Sequence, residues 1–281
     1  MRSKIAVFLF TGIFGCLQIH AQNNENSRFP QKGNLSFGIN AVPVLIWAGN
    51  TLNGNLNNTS IGNEKFIDNS SPLATLKYGY TDNTFLRFTY LGGRNINRKE
   101  NSVWDNSVLN SPNSQVTDVF ITKDNFWGLG LGIEKRKSNG NIQGYVGTDL
   151  FYIRDNSQTD YFYGNGFSQS NQTPTSTFDF DNRISKPMGT RTIRVSDGID
   201  NTLALRAFVG AEYFVAKGIS FGLEYGLNFA YSMEKEGVIQ TESFDAARNS
   251  VITNVQKSGA KSQYTDGLDN QGGAILLNFY F

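Results

Sequence analysis

From Gly33 onward the chain is dominated by an alternation of apolar and polar residues. The clearest stretch runs from Ile219 to Ser232. Ile219, Phe221, Leu223, Tyr225, Leu227, Phe229 and Tyr231 fall on one side, and Ser220, Gly222, Glu224, Gly226, Asn228, Ala230 and Ser232 on the other. A period of two sends successive side chains to opposite faces of a strand, whereas a helix needs a period near 3.6. The same alternation recurs along the chain, as in Trp127, Leu129, Leu131 and Ile133 against Gly128, Gly130, Gly132 and Glu134. It predicts eight strands, near 34–47, 73–80, 84–94, 126–136, 142–153, 202–215, 219–232 and 272–281.

The connections alternate in length. Three are tight: Thr81-Asp82-Asn83, Lys137 to Asn141, and Ala216-Lys217-Gly218, all with hairpin turn chemistry. Four are long, spanning about 48–72, 95–125, 154–201 and 233–271, and are rich in Asn, Ser, Thr, Asp and Gly. Loops of that length count against a compact soluble domain. Short turns at one end and long loops at the other are the pattern of a membrane barrel, and an even strand number leaves no unpaired edge in lipid. A soluble sandwich or a lipocalin-like barrel is the alternative, with the greasy face turned inward and many Lys and Glu outside. Here the second face carries mainly Gly, Ser, Ala and Asn, which suits a crowded interior. The expected fold is therefore all-β: an eight-stranded antiparallel up-and-down transmembrane β-barrel over 34–281, with long extracellular loops and periplasmic termini. A further hairpin within 154–201 would raise the strand number to ten.

Aromatic residues fall where such a barrel needs them. Trp47, Trp127, Tyr152 and Tyr231 stand at strand ends beside long loops, and Tyr80, Tyr213 and Tyr280 at the ends beside short turns. Two girdles of amphipathic rings at the headgroup levels are expected of a membrane barrel. The face opposite the greasy one holds Lys77, Arg87, Glu134, Asp149, Arg206, Glu212 and Glu224. Charges enclosed in so narrow a barrel must pair or be wet. They form either a salt-bridge plug or a charge-lined path for a proton or small solute.

The beginning of the chain is different. Arg2 and Lys4 precede a mostly apolar run of 13 residues, Ile5 to Leu17, too short to cross a bilayer as a helix. Ala21 follows Ile19 and His20, as at a secretory cleavage site. Residues 1–21 read as a cleaved signal peptide and 22–33 as an N-terminal periplasmic segment. An anchor helix, or lipoprotein processing at Cys16 after Ile13-Phe14-Gly15, are the alternatives. Cleavage after Ala21 removes two of the 25 bases, none of the 24 acids, and the single Cys and single His. So balanced a charge argues against a nucleic-acid surface.

With these features the chain resembles the small outer-membrane barrels of Gram-negative bacteria, of the OmpA-transmembrane and OmpX type. The terminal strand, Gly272 to Phe281, is the most specific element: Phe281 is preceded by Phe279, Leu277 and Ile275 at alternate positions. It resembles the C-terminal signal read by the barrel-assembly machinery. The resemblance implies the bacterial outer membrane as location and outer-membrane lipid as surroundings. It also implies that barrel enzymes of this kind depend on a catalytic His, which the processed chain lacks, so no enzymatic activity is expected.

Other chemistry is thin. Gly128-Leu129-Gly130-Leu131-Gly132 looks superficially like a nucleotide loop but lies within an alternating strand, so no cofactor is expected. Asp-Asn precedes four strands, at Asp68-Asn69, Asp124-Asn125, Asp200-Asn201 and Asp269-Asn270. Rim turns explain these pairs better than a calcium site, whose known loop spacings they do not match. The long loops are the expected working surface. Loop 154–201 carries Tyr161, Phe162, Tyr163, Phe167, Phe178 and Phe180, a mixture suited to binding an extracellular ligand. The role expected is structural or adhesive, with a narrow pore or small-solute transporter as the alternative.

Overall fold

The structure is a computed structural model and describes residues 29–41, 72–108, 113–265 and 271–281. The described residues form thirteen strands and no helix. Eight strands make a closed antiparallel ring: β1 (Leu35–Asn40), β2 (Pro72–Thr81), β3 (Thr84–Trp104), β4 (Gln115–Asn139), β5 (Ile142–Phe162), β8 (Thr190–Ala216), β9 (Ile219–Glu234) and β13 (Gln271–Tyr280). Each pairs with the next in that order, and β13 returns to β1 with Ser36 opposite Tyr280 and Asn40 opposite Leu276. Closure gives every strand of the ring two hydrogen-bonded neighbours. All eight predicted strands are present, linked by the three predicted tight turns. Two of those turns place Gly140 (φ 59°) and Gly218 (φ 78°) in the left-handed region, where glycine carries no steric penalty.

Four strands run well beyond the ring. β3, β4, β5 and β8 hold 21, 25, 21 and 27 residues, far more than the roughly 9–11 of a bilayer-spanning strand. β4 continues through Asp118 to Asp124, which the alternation assigned to a long loop. Beyond the ring β8 also pairs with β10 (Val238–Asp245), which pairs with β11 (Ser250–Lys257); β12 (Lys261–Thr265) lies on the upper part of β9. The segment 163–189 does contain a hairpin, β6 (Thr175–Asp179) and β7 (Ile184–Pro187), but it pairs only with itself. The ring therefore stays at eight.

The alternation sorts the side chains by face. Leu129, Leu131, Leu205, Val209, Leu223 and Tyr225 point out and are exposed. Inside, Leu91, Phe151, Ile153, Ala204, Ala230, Ala274 and Leu276 make one buried apolar cluster. Small inward residues create the space that large ones fill. A Cβ on Gly147 would come within 2.5 Å of the Phe208 ring.

Candidate functional site

Below the apolar cluster, towards the short turns, the interior is charged. Lys77 on β2, Arg87 on β3, Glu134 on β4, Asp149 on β5, Arg206 and Glu212 on β8, and Glu224 on β9 all point inward and are buried. The register explains their meeting: Lys77 lies opposite Arg87, and Asp149 opposite Arg206, on neighbouring strands. Arg87 is central. Its Nη1 donates to Glu134 Oε2 (2.9 Å) and Glu224 Oε2 (2.7 Å), its Nη2 to Glu224 Oε1 (3.1 Å), and its Nε stands 3.3 Å from Asp149. Arg206 Nη1 reaches Glu224 Oε1 at 2.5 Å and Asp149 at 3.6 Å. Lys77 Nζ donates to Glu212 Oε1 at 2.7 Å. The guanidinium of Arg87 also lies 4.1 Å over the Phe208 ring, covering the planar face that no carboxylate takes.

An eighth member went unpredicted. Arg136 Nε donates to Glu134 Oε1 (2.6 Å), and its Nη1 to Gln143 Oε1 (2.8 Å) and Tyr280 Oη (2.9 Å). The signal was available, since Arg136 has the same parity on β4 as Glu134. With Arg136 the network joins four cations to four carboxylates. Its formal charge is zero, which lowers the cost of enclosing it.

Tyr280 corrects the predicted girdle. It shares the inward parity of Leu276 and Asn278, and its hydroxyl donates to Glu212 Oε2 at 2.5 Å. Its ring lies 5.6 Å from that of buried Phe214, and Phe29 meets Phe214 edge-on at 5.2 Å. Tyr280 is thus part of the interior at the short-turn end, with the segment from Phe29 laid against it. The other described girdle residues face out. Trp127, Tyr152 and Tyr231 are exposed towards the long-strand end, and Tyr80 and Tyr213 towards the short turns. Trp47 lies outside the described residues. Phe279 and Phe281 have outward parity, and Phe281 exchanges backbone hydrogen bonds with Leu35.

Above the apolar cluster, the lengthened strands carry a second buried region. Asp118 on β4 is fully buried and, among the described residues, makes no ion pair. Its Oδ1 accepts from the Gly164 backbone N–H (2.8 Å), and its Oδ2 from the N–H and hydroxyl of Thr177 (2.7 and 2.8 Å). Asn165 donates to the carbonyls of Trp104 and Thr175, and Arg191 Nη1 donates to the Asn165 carbonyl and to Ser176 Oγ. Phe120, Tyr161 and Phe180 pack ring against ring beside them. The β6–β7 hairpin is therefore tied down over the inward face of β3 and β4. Of the aromatic residues expected to form a free binding loop, Phe162 and Phe178 stay exposed, while Tyr161, Tyr163, Phe167 and Phe180 are drawn into this packing. Burial pushes the Tyr163 hydroxyl up from its ordinary value, and it donates to the Thr192 carbonyl.

The Asp-Asn pairs do not mark turns where they are described. Asp124-Asn125 and Asp200-Asn201 lie within β4 and β8; Asp68-Asn69 and Asp269-Asn270 lie outside the described residues. Asp155, Asp197, Asp200, Glu234 and Lys261 line a cleft of about 360 Å³ where the ring gives way to the longer strands. Partial desolvation at the wall of this cleft, with the nearby carboxylates of Asp200 and Asp124, pushes the carboxyl of exposed Asp155 up.

No family model matches the chain, and no curated protein does. Among solved structures it is similar to the outer membrane protein OprG from Pseudomonas aeruginosa. The match covers 91% of this chain and 99% of that one, at 8% identity and a TM-score of 0.36.

Proposed function

We propose that this is a non-enzymatic outer-membrane β-barrel protein, closed to solutes by its own side chains, whose role is carried by the folded head above the membrane. The membrane reading rests on the apolar exterior of the ring. On β4 the outward residues from Trp127 to Ile133 are bounded by Asn125 above and Lys135 below. The ten residue steps from Asn125 to Lys135, at about 3.3 Å each on strands tilted by about 40°, set these polar bounds roughly 25 Å apart, the height of the apolar band of an outer-membrane barrel. Trp127, Tyr152 and Tyr231 bound that band on the outer side, Tyr80 and Tyr213 on the inner. The head faces outward, and Phe279 and Phe281 serve as the recognition residues for the assembly machinery.

The observation that carries the closed reading is the stacking of interior layers. Lys77, Arg87, Glu134, Arg136, Asp149, Arg206, Glu212 and Glu224 fill one level with four cations set against four carboxylates. Leu91, Phe151, Ile153 and Leu276 fill the next, and the β6–β7 hairpin lies over the inward face beyond. An ion would have to break pairs of 2.5–2.9 Å and then cross an apolar level. The head supplies the function as a structural or adhesive surface, with exposed Phe162 and Phe178 as contact groups. The test is planar-bilayer conductance of the refolded protein, its folding verified by heat-dependent gel mobility. Silence from folded protein is expected. Stable ion-selective steps would overturn the closed reading and make the same charges a pore lining.

A further inference from the structure

Two arginines stand at the upper edge of the apolar band with no acidic partner among the described residues. The pairings of β3, β4 and β5 put Gly92, Trp127 and Arg154 side by side in one outward-facing row, and Arg94, Asn125 and Asn156 in the row above. Arg154 is thus the direct cross-strand neighbour of Trp127, and Arg94 stands one outward position beyond Trp127's other neighbour. The rows continue upward through Lys123 and Arg98. Those cations are occupied: Lys123 bonds Asp160 at 3.0 Å, and Arg98 bonds Glu100 at 2.8 Å. Asp160 also takes Arg194, at 2.8 Å. Arg94 and Arg154 are exposed, and among the described residues neither makes an ion pair.

We propose that Arg94 and Arg154, with Asn125 between them and Trp127 below, form a binding site for the phosphorylated headgroup of a lipid in the outer leaflet. The inference rests on the membrane reading above. Strand spacing and rise put the two arginine Cα atoms about 12 Å apart. Two guanidinium groups reaching inward from that distance bracket one phosphate group, which each can take through paired N–H donors. Trp127, 38% exposed and packed edge-to-face with Tyr152 at 5.7 Å, offers a flat platform at the level where acyl chains meet headgroup. Asn125 adds a neutral donor between the charges. Charge complementarity and continuity with the lipid-facing band fix the occupant as lipid. The outward cations above them on β3 and β4, Arg98 and Lys123, already have carboxylates, which leaves Arg94 and Arg154 as the unpaired cations at the upper edge of the β3–β5 face among the described residues.

The test is native mass spectrometry of the folded protein in detergent. It is titrated with bisphosphorylated lipid A and, separately, with the same lipid stripped of its phosphates. Retention of the phosphorylated form is expected. The double variant Arg94→Ala/Arg154→Ala should weaken it about twenty- to thirty-fold, roughly five-fold for each arginine at a charged lipid surface. Arg94→Lys/Arg154→Lys should lose part of this, because it keeps the charge and not the fork. Equal retention of the two lipids, or no change in the double variant, would overturn the inference. Displacement of the lipid by inorganic phosphate at equal concentration would also overturn it, because the site would then hold an anion without its lipid. Insertion into phosphatidylcholine vesicles separates the two levels. A wild type that fails to insert overturns the membrane reading and the inference together; insertion without preference for the phosphorylated lipid overturns the inference alone.

Discussion

The lumen and the head bury polar groups in opposite ways. In the lumen, full charges answer full charges. Glu224 alone takes Arg87 through both oxygens and Arg206 through one, and no backbone group is needed to satisfy them. In the head, the buried carboxylate of Asp118 is answered by two backbone N–H groups and a hydroxyl. The difference follows from what each region has to hold. The ring is closed by its own ladder, so its interior only has to be filled and neutral. The segment 163–189 makes few ladder bonds with the rest of the chain, so its backbone must be pinned by side chains reaching across. A closed sheet makes side-chain charge a filler, whereas an open loop makes it an anchor.

The comparison can be broken first at Glu224. Replacing it with Ala leaves Arg87 and Arg206 buried and facing each other, at a cost of about 3–5 kcal/mol. The midpoint of unfolding of the whole barrel in urea, followed by heat-dependent gel mobility, should fall accordingly. An unchanged midpoint would mean that the lumen is hydrated and that its charges do not depend on one another.

Next is Asp118→Ala, which strands three donors at a cost of about 2–3 kcal/mol. The loss should be local. Amide exchange and protease cleavage should rise within 163–189 while the barrel midpoint stays in place. Global destabilisation of the barrel by this change would erase the distinction between filler and anchor.

Gly226→Ala comes third. Its Cβ would stand 2.5 Å from Arg206 Nε, so the guanidinium must shift away from Glu224. Overpacking of this kind costs about 1–3 kcal/mol, read from the same barrel midpoint. Full tolerance would show that the ionic level has slack.

The smallest effects are those of pH on the head, and they run in both directions. Burial alone would raise the Asp160 carboxyl, but the hydrogen bonds from Arg194, Lys123 and Gln158 outweigh it and hold it below the usual aspartate value. Its contribution is present above that value and is lost as pH falls through the depressed one. Asp155 is shifted upward, so its ionised form is the strained one. Lowering the pH from neutrality towards the usual aspartate value should relieve it, and only further acidification should loosen the head. Proteolysis of the head across that range should therefore pass through a minimum; a monotonic rise would show that Asp155 is not strained.

Most of the ring was legible because a closed sheet obeys a local rule. Any inward position in a period-two run shares its face with every other, and hydrophobic parity needs no knowledge of partners. That is how Lys77, Arg87, Glu134, Asp149, Arg206, Glu212 and Glu224 could be named together, and how Arg136 could have joined them. Tyr280 was misplaced because its position at a strand end beside a short turn was weighed over its parity. The head was not legible in the same way. Asn165 and Thr177 have ordinary neighbours in sequence, and their roles come from contacts with Trp104 and Asp118, some 60 positions away. Alternation along the chain thus determined the eight strands, their facing and the charges enclosed, because side-chain direction on a strand depends on the strand alone. Tertiary structure decided which charge meets which, how far β3, β4, β5 and β8 run past the ring, and where the β6–β7 hairpin settles. Those depend on register and on long-range hydrogen bonds that no local pattern encodes.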